Sequence, residues 1–254
     1  MSIEIINIDN KKSLLSRRWK FHDFDERNVI YFSQKHKLKY IVSKLLSIRG
    51  VDKDYIENFL NPNINDFPNP AKLKDIDKAT SRVIQAINTK ERIGIIADYD
   101  VDGSTSASIL FKFLKNFTSS IILKIPNRLV DGYGPNIKLM KEMLDNKVDL
   151  LLTLDCGTTS NEILDNKEFK NIDVIVIDHH LSEINLPNVL AIINPNREDD
   201  TSDYKQLAAV GVTFLFLMYL RKKLRELNKF SKIKEPNLLS YLDLVALGTV
   251  CDVV

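Results

Sequence analysis

Four groups of acids and histidines combine the residue types that hold hard divalent cations. They are Asp98-Tyr99-Asp100-Val101-Asp102-Gly103, Asp155-Cys156-Gly157, Asp178-His179-His180 and Asp252. Three of the four directly follow apolar runs, which gives them the look of strand ends. A parallel α/β sheet builds its sites just beyond the carboxyl ends of such strands. Carboxylates gathered there repel one another unless cations lie between them. The grouping therefore predicts a divalent metal site and a metal-dependent hydrolase.

Each group also has plainer readings. If extended, Asp98, Asp100 and Asp102 point to one side, and Gly103 turns the chain tightly. Ser104, Thr105 and Ser106 then cap a helix whose first amides face an anion such as phosphate. The same acids match the opening of a calcium loop, but its twelfth position must be acidic and is Ile109 here. Asp100-Val101-Asp102-Gly103-Ser104 also resembles the nucleophile motif of haloacid-dehalogenase-like phosphatases, with Asp100 as a phospho-aspartate. That reading leaves the two histidines without work. A plain acidic turn that binds nothing is the third rival. Asp155 is either the N-cap of the next helix or, if Thr159 or Ser160 caps instead, free for metal. Neighbouring residues at a strand end diverge, so one ring of His179-His180 can bind metal while the other faces substrate. Asp178 can orient a ring. Asp252 means little alone, and Gly248 is expected to end the preceding helix and turn the chain back. His22 and His36 lack such surroundings and are expected at the surface.

The elements that must position these groups follow from the pattern of apolar residues. Residues 1–60 read as polar helices with Trp19 as an anchor. The stretch 60–70 holds three prolines and reads as an extended linker, since proline disfavours helix before it. An amphipathic helix is expected at 76–88. An alternation of strand and helix then begins. Strands are expected at 92–97, 120–125, 148–154, 172–177 and 189–193. Helices are expected at 104–117, at 135–146 with Pro135 in its first turn, and at 161–168. Helices at 207–227 and 236–247 close the chain. Such alternation predicts an α/β fold, a doubly wound and mainly parallel sheet with helices on both faces, preceded by a helical N-terminal arm. The expected division is 1–70 for the arm and linker and 71–254 for the catalytic domain. The end at Val254, two residues past Asp252, leads to the expectation of a second domain beyond it, and of weak activity without it.

Composition narrows the function classes. The 254 residues carry a net charge of +2 with 44% hydrophobic and 28% charged residues, ordinary for a globular protein. Residues 11–50 hold eleven Lys/Arg against three Asp/Glu, a surface able to attract a polyanion or simply a solvated helical face. Two cysteines argue against a disulfide scaffold and for a reducing, cytoplasmic setting. The N-terminus lacks the charge-then-apolar pattern of a secretory signal. The longest uncharged apolar run, 207–220, is too short to span a bilayer, so no membrane association is expected.

Taken together, the motifs resemble the DHH phosphoesterase superfamily, and within it the RecJ family of single-strand-specific exonucleases. The resemblance rests on Ala-Asp-Tyr-Asp-Val-Asp-Gly-Ser at 97–104, Leu-Asp-Cys-Gly at 154–157, Ile-Asp-His-His-Leu at 177–181, Ile-Asn-Pro-Asn at 193–196, Leu-Ala-Ala-Val-Gly-Val at 207–212 and Asp-Leu-Val-Ala-Leu-Gly-Thr-Val-Cys-Asp-Val at 243–253. It covers roughly 15–254, including the proline arm. It implies a two-metal site for Mn2+ or Mg2+ with Asp100, Asp102, Asp155, His179 and Asp252 as ligands. Asp155 would bridge the cations, Asp98 would lie close by, and His180 would face the scissile phosphate. It implies hydrolysis of single-stranded DNA from the 5′ end, with repair or replication proteins as further partners. Arg128 could hold a phosphate and Tyr133 could stack on a base, although both also fit a glycine turn with a surface arginine. The 206–212 segment reads more simply as a small-residue helix against the sheet. Cys156 and Cys251 depart from the family pattern and are expected to fill space. The alternatives are a DHH phosphodiesterase of short oligonucleotides or cyclic dinucleotides, and a non-catalytic nucleic-acid-binding scaffold.

Overall fold

The computed structural model describes residues 12–17, 22–63, 69–231 and 233–254. Trp19 and the middle of the proline linker lie outside them. The chain divides into two compact units, 1–68 and 69–254.

The first unit holds helices α1 (Glu26–Lys35), α2 (Tyr40–Ile48) and α3 (Ile56–Leu60). Its small core is Phe32, Leu46 and Ile56. Asp25 starts α1 by accepting the Arg27 amide, as an N-cap should. His36 is not a surface residue. Its side chain is only 6% exposed, with Nδ1 2.6 Å from Glu57 Oε1. His22 is exposed, as expected.

The second unit opens with α4 (Ile76–Thr89) and then alternates: β1 (Ile93–Ala97), α5 (Val101–Leu114), β2 (Ile121–Lys124), α6 (Ile137–Asp145), β3 (Leu150–Leu154), α7 (Asn161–Leu164), β4 (Asp173–Ile177) and β5 (Ala191–Ile193). Two helices follow, α8 (Ala209–Glu226) and α9 (Leu242–Asp252). The five strands form one parallel sheet in the order β2-β1-β3-β4-β5. Every residue of β1 and β3 is buried, because helices cover both faces; such strands read as continuous apolar runs rather than alternating ones. On one face α4, α5 and α8 pack against Ile93, Ile95, Ala97, Leu150, Leu152 and Leu154. On the other, α6 and α7 cover Ile96, Leu151, Val174 and Val176. No helix among the described residues is long and apolar enough to cross a membrane.

Three local expectations change. Asp100, not the Ser-Thr-Ser run, caps α5 by accepting the Gly103 amide at 2.9 Å. The helix therefore begins at Val101 and Asp102 sits inside it. Pro135 lies ahead of α6, whose cap is Asn136. Gly248 does not end a helix; it lies in the middle of α9, buried against α5 and α8.

Candidate metal centre

The register of the sheet brings the acids together. Ala97 lies beside Leu154, Leu154 beside Ile177, and Ile177 beside Ile193. The next residues are Asp98, Asp155, Asp178 and Asn194. The ladder runs on through them: the Asp98 amide donates to Leu154 O, Asp155 to Ile177 O and Asp178 to Ile193 O, at 2.9 to 3.1 Å. Neighbouring strands lie about 4.8 Å apart, so three carboxylates are forced side by side. They stand at the β1/β3 switch point, where this strand order opens a crevice.

Other elements bring the remaining groups. Asp100 and Asp102 come from the start of α5. Asp102 is fully buried, and its two oxygens accept the Ala209 and Val210 amides at 2.6 and 2.8 Å. The N-terminus of α8 is thus a carboxylate cradle, a role for the 206–212 segment that side chains do not announce. Gly103 permits the strand-to-helix turn by close approach, since a methyl there would run into the Asp98 backbone. Asp155 has φ +59°, a left-handed conformation uncommon outside glycine, asparagine and aspartate. Asp252 arrives from the last turn of a helix, not from a strand end.

His179 Nε2 stands at the meeting point, 3.5 Å from Asp155 Oδ1, 3.6 Å from Asp252 Oδ2 and 3.8 Å from Asp102 Oδ2. Three overlapping groups have ligand atoms within 4.8 Å of one another: Asp155, His179 and His180; Asp102, His179 and Asp252; and Asp98, Asp100 and Asp155. Five atoms in this cluster are buried and lack any hydrogen-bond partner. They are Asp98 Oδ1, both Asp155 oxygens, His179 Nε2 and Asp252 Oδ2. Buried polar atoms are rarely left so. Carboxylate oxygens with one imidazole suit Mn2+ or Mg2+, so the residues fit such ions.

The electrostatics point the same way. Burial, with the charges of Asp102, Asp100 and Asp178, pushes Asp155 up to about 10. Burial likewise raises Asp102 to about 6, against the pull of the two amides and His179. Asp98 is raised by burial too, partly offset by backbone amides. A cluster that resists ionisation calls for positive charge.

Asp178 behaves differently. Burial would raise it, but the hydrogen bond and charge of His180, with the Thr158 donors, bring it down to about 2. It accepts His180 Nδ1 at 2.8 Å, the His179 amide at 2.8 Å and the Thr158 amide at 3.0 Å. His180 is raised in turn by that hydrogen bond, and its side chain is 45% exposed. Two asparagines of the 193–196 motif, to which sequence reasoning gave no role, hold the pair. Asn194 donates to His180 O and Thr158 Oγ1, and Asn196 donates to His179 O.

Tyr133 and Arg128 lie on the rim. The Tyr133 hydroxyl donates to Asp155 O at 2.9 Å and lies 3.2 Å from His180 Nδ1. Arg128 sits over the Tyr99 ring, 5.3 Å from its centroid. Cys156 is buried, its thiol pushed up by that burial, whereas Cys251 is exposed.

The model of the DHH family, N-terminal domain, matches residues 92–249. The chain is 38% identical over 187 residues to the single-stranded-DNA-specific exonuclease RecJ of Haemophilus influenzae, covering 73% of this chain and 32% of that protein. It is 33% identical over 239 residues to RecJ of Bacillus subtilis, covering 93% and 29%. A crystal structure of exonuclease RecJ bound to manganese superposes with a TM-score of 0.61 at 33% identity, over 71% of this chain and 44% of that one. RecJ of Thermus thermophilus in complex with Mn2+ gives 0.69 at 27% identity, over 91% and 31%. The chain spans about a third of the length of the curated relatives it matches. With the family model spanning more than half of the residues, and a cluster able to hold metal ions among them, this chain belongs to the DHH family.

Proposed function

We propose that the chain hydrolyses phosphodiester bonds in single-stranded DNA at a two-cation centre, as an exonuclease working from the 5′ end. The five unpartnered buried atoms converging from Asp98, Asp155, His179 and Asp252 carry this reading. The relatives named as single-stranded-DNA-specific exonucleases support it, as do solved relatives bound to manganese. Asp100, Asp102, Asp155, His179 and Asp252 would hold Mn2+ or Mg2+, with Asp155 between the two ions and Asp98 close by. Two bound cations supply a polarised water and neutralise charge on the phosphate.

The chain's own groups supply the rest. Asp178 fixes the His180 ring through Nδ1 and, by that hydrogen bond, raises its affinity for a proton. The half-exposed ring can then face the phosphate and give a proton to the leaving oxygen. Arg128, exposed beside the Asp98–Asp100 turn, is placed to pair with a phosphate. Residues 71–254 form the catalytic part and 1–70 the arm. The two free cysteines suit a reducing, cytoplasmic setting, and repair or replication proteins are the partners expected of such an activity.

The test is Asp155→Ala on a single-stranded 20-mer labelled at either end, with Mn2+ titrated calorimetrically on the same sample. Loss of both hydrolysis and tight Mn2+ binding, with the fold kept, is expected. Undiminished turnover in the variant would remove Asp155 from the centre, and Mn2+ binding by the wild type without turnover would favour a scaffold.

A further inference from the structure

Two adjacent aliphatic residues stand out of the rim of the centre. Leu129 is 93% exposed and Val130 78%. They are not on a loose loop. The Asn127 amide donates to Asp131 Oδ2, and the Val130 and Asp131 amides donate back to Asn127 O. Asn127 Oδ1 accepts the Leu129 amide, and the Lys138 ammonium holds Asp131 Oδ1 at 2.9 Å. The links among 127–131 close a turn, and Lys138 ties it to α6.

The turn is anchored to the centre on both sides. Before the tip, Arg128 lies over the Tyr99 ring, between Asp98 and Asp100. After it, the Tyr133 hydroxyl holds the Asp155 carbonyl beside His180, and the Gly134 amide reaches Asp98. The tip therefore adjoins residues that touch Tyr99, Asp155, His180 and Asp98, with its apolar atoms in water. A rigid apolar knob next to a phosphate-handling site has a natural occupant in the strand itself. Every nucleobase offers an apolar face, and contact with such faces is tolerant of sequence. A base stacked within a duplex has no face to offer.

We infer that Leu129 and Val130 form an apolar wedge that packs against the face of a base next to the phosphate held at the centre, and so favour an unstacked strand. This rests on the nuclease reading above. It assigns to this turn a base-dependent grip distinct from the phosphate grip of Arg128.

The test compares a fluorescent oligothymidylate 12-mer with a 12-mer of the same backbone lacking all bases. Binding is read by anisotropy in Ca2+ and turnover in Mn2+. The proteins are the wild-type chain, the double variant Leu129→Ser/Val130→Ser, and Leu227→Ser. Leu227 is equally a surface leucine, 54% exposed, but caps the far end of α8, about 26 Å of helix from the Asp102 cradle. The double variant is expected to bind oligothymidylate about tenfold more weakly, to bind the baseless strand as the wild type does, and to keep its kcat. Leu227→Ser should match the wild type on both strands. Equal losses on both strands, or no loss on either, would overturn the wedge. A wild type that binds with base-dependent strength but never cleaves would sink the nuclease reading and leave the wedge standing.

Discussion

Replacing Gly248 by alanine tests how closely the centre depends on the seating of α9. A methyl group at this position would lie 2.5 Å from Thr105 Oγ1, 2.7 Å from Val210 Cγ1 and 3.2 Å from Asp102 Oδ1. The first two are short of ordinary contact by about 1 Å, and both neighbours are held within buried helices. The helix must move outward by a comparable distance. Overpacking of this kind costs about 1–3 kcal/mol, offset by about 1 kcal/mol of helix propensity gained over glycine. The net change in Tm for a unit of this size is then only a few degrees. Asp252, however, lies one helical turn beyond Gly248 on the same face. Its carboxylate moves away from His179 and Asp102 with the helix. Disturbing the support of a ligand typically lowers metal affinity about 10–100-fold. Calorimetric titration of Mn2+, beside a thermal melt, should therefore show a large loss of affinity with a small loss of Tm. Gly211→Ala is the control, because its methyl would meet only the Leu207 side chain at 3.3 Å. Wild-type Mn2+ affinity in Gly248→Ala would refute the view that α9 is seated by the missing side chain.

The remaining predictions concern charge and proton transfer. In EDTA, Asp155 (raised to about 10) and Asp102 (raised to about 6) favour the folded state most when protonated. That contribution is complete below about pH 4 and is lost as pH rises through the folded values, so Tm in EDTA should fall between about pH 5 and 9, and Mn2+ should flatten the fall. Asp178, lowered to about 2, acts in the opposite sense: its contribution is present above about pH 4 and disappears as pH drops towards 2, which a melt series in strong acid would detect. His180→Gln should reduce kcat about 10²–10⁴-fold while calorimetry finds Mn2+ affinity within a few fold of wild type. Tyr133→Phe should lower kcat about tenfold through a loosened Asp155 carbonyl and His180 ring, leaving KM for single strands unchanged. A rise in KM alone would instead make Tyr133 a stacking platform.

Much of this arrangement is readable from the chain, for identifiable reasons. Strands buried on both faces must be apolar throughout, so β1, β3 and β4 show as runs and the acids that follow them show as strand ends. Two of the cases that misled are helical. Asp98, Asp100 and Asp102 alternate like a strand, yet Asp100 captures the Gly103 amide and begins α5 ahead of the Ser-Thr-Ser run. Gly248 carries the composition of a helix stop, but burial against α5 and α8 makes the absence of a side chain a packing requirement. The Asp102 cradle was invisible because its donors are the backbone amides of Ala209 and Val210. Asn194 stood in a motif without a role for a related reason: only the register of β4 against β5 puts it in line with Asp178. His36 looked solvent-facing because its partner, Glu57, is 21 residues away.

The acidic cluster gathers side chains from the beginning of the α/β unit, at Asp98, to the final helical residue, Asp252. A chain that extends only as far as α8 lacks the carboxylate that faces His179 from α9. The acid that faces His179 from α9 is thus separated by more than 150 residues of chain from the first acid of the cluster, and the group is whole only when both ends of the α/β unit are in place.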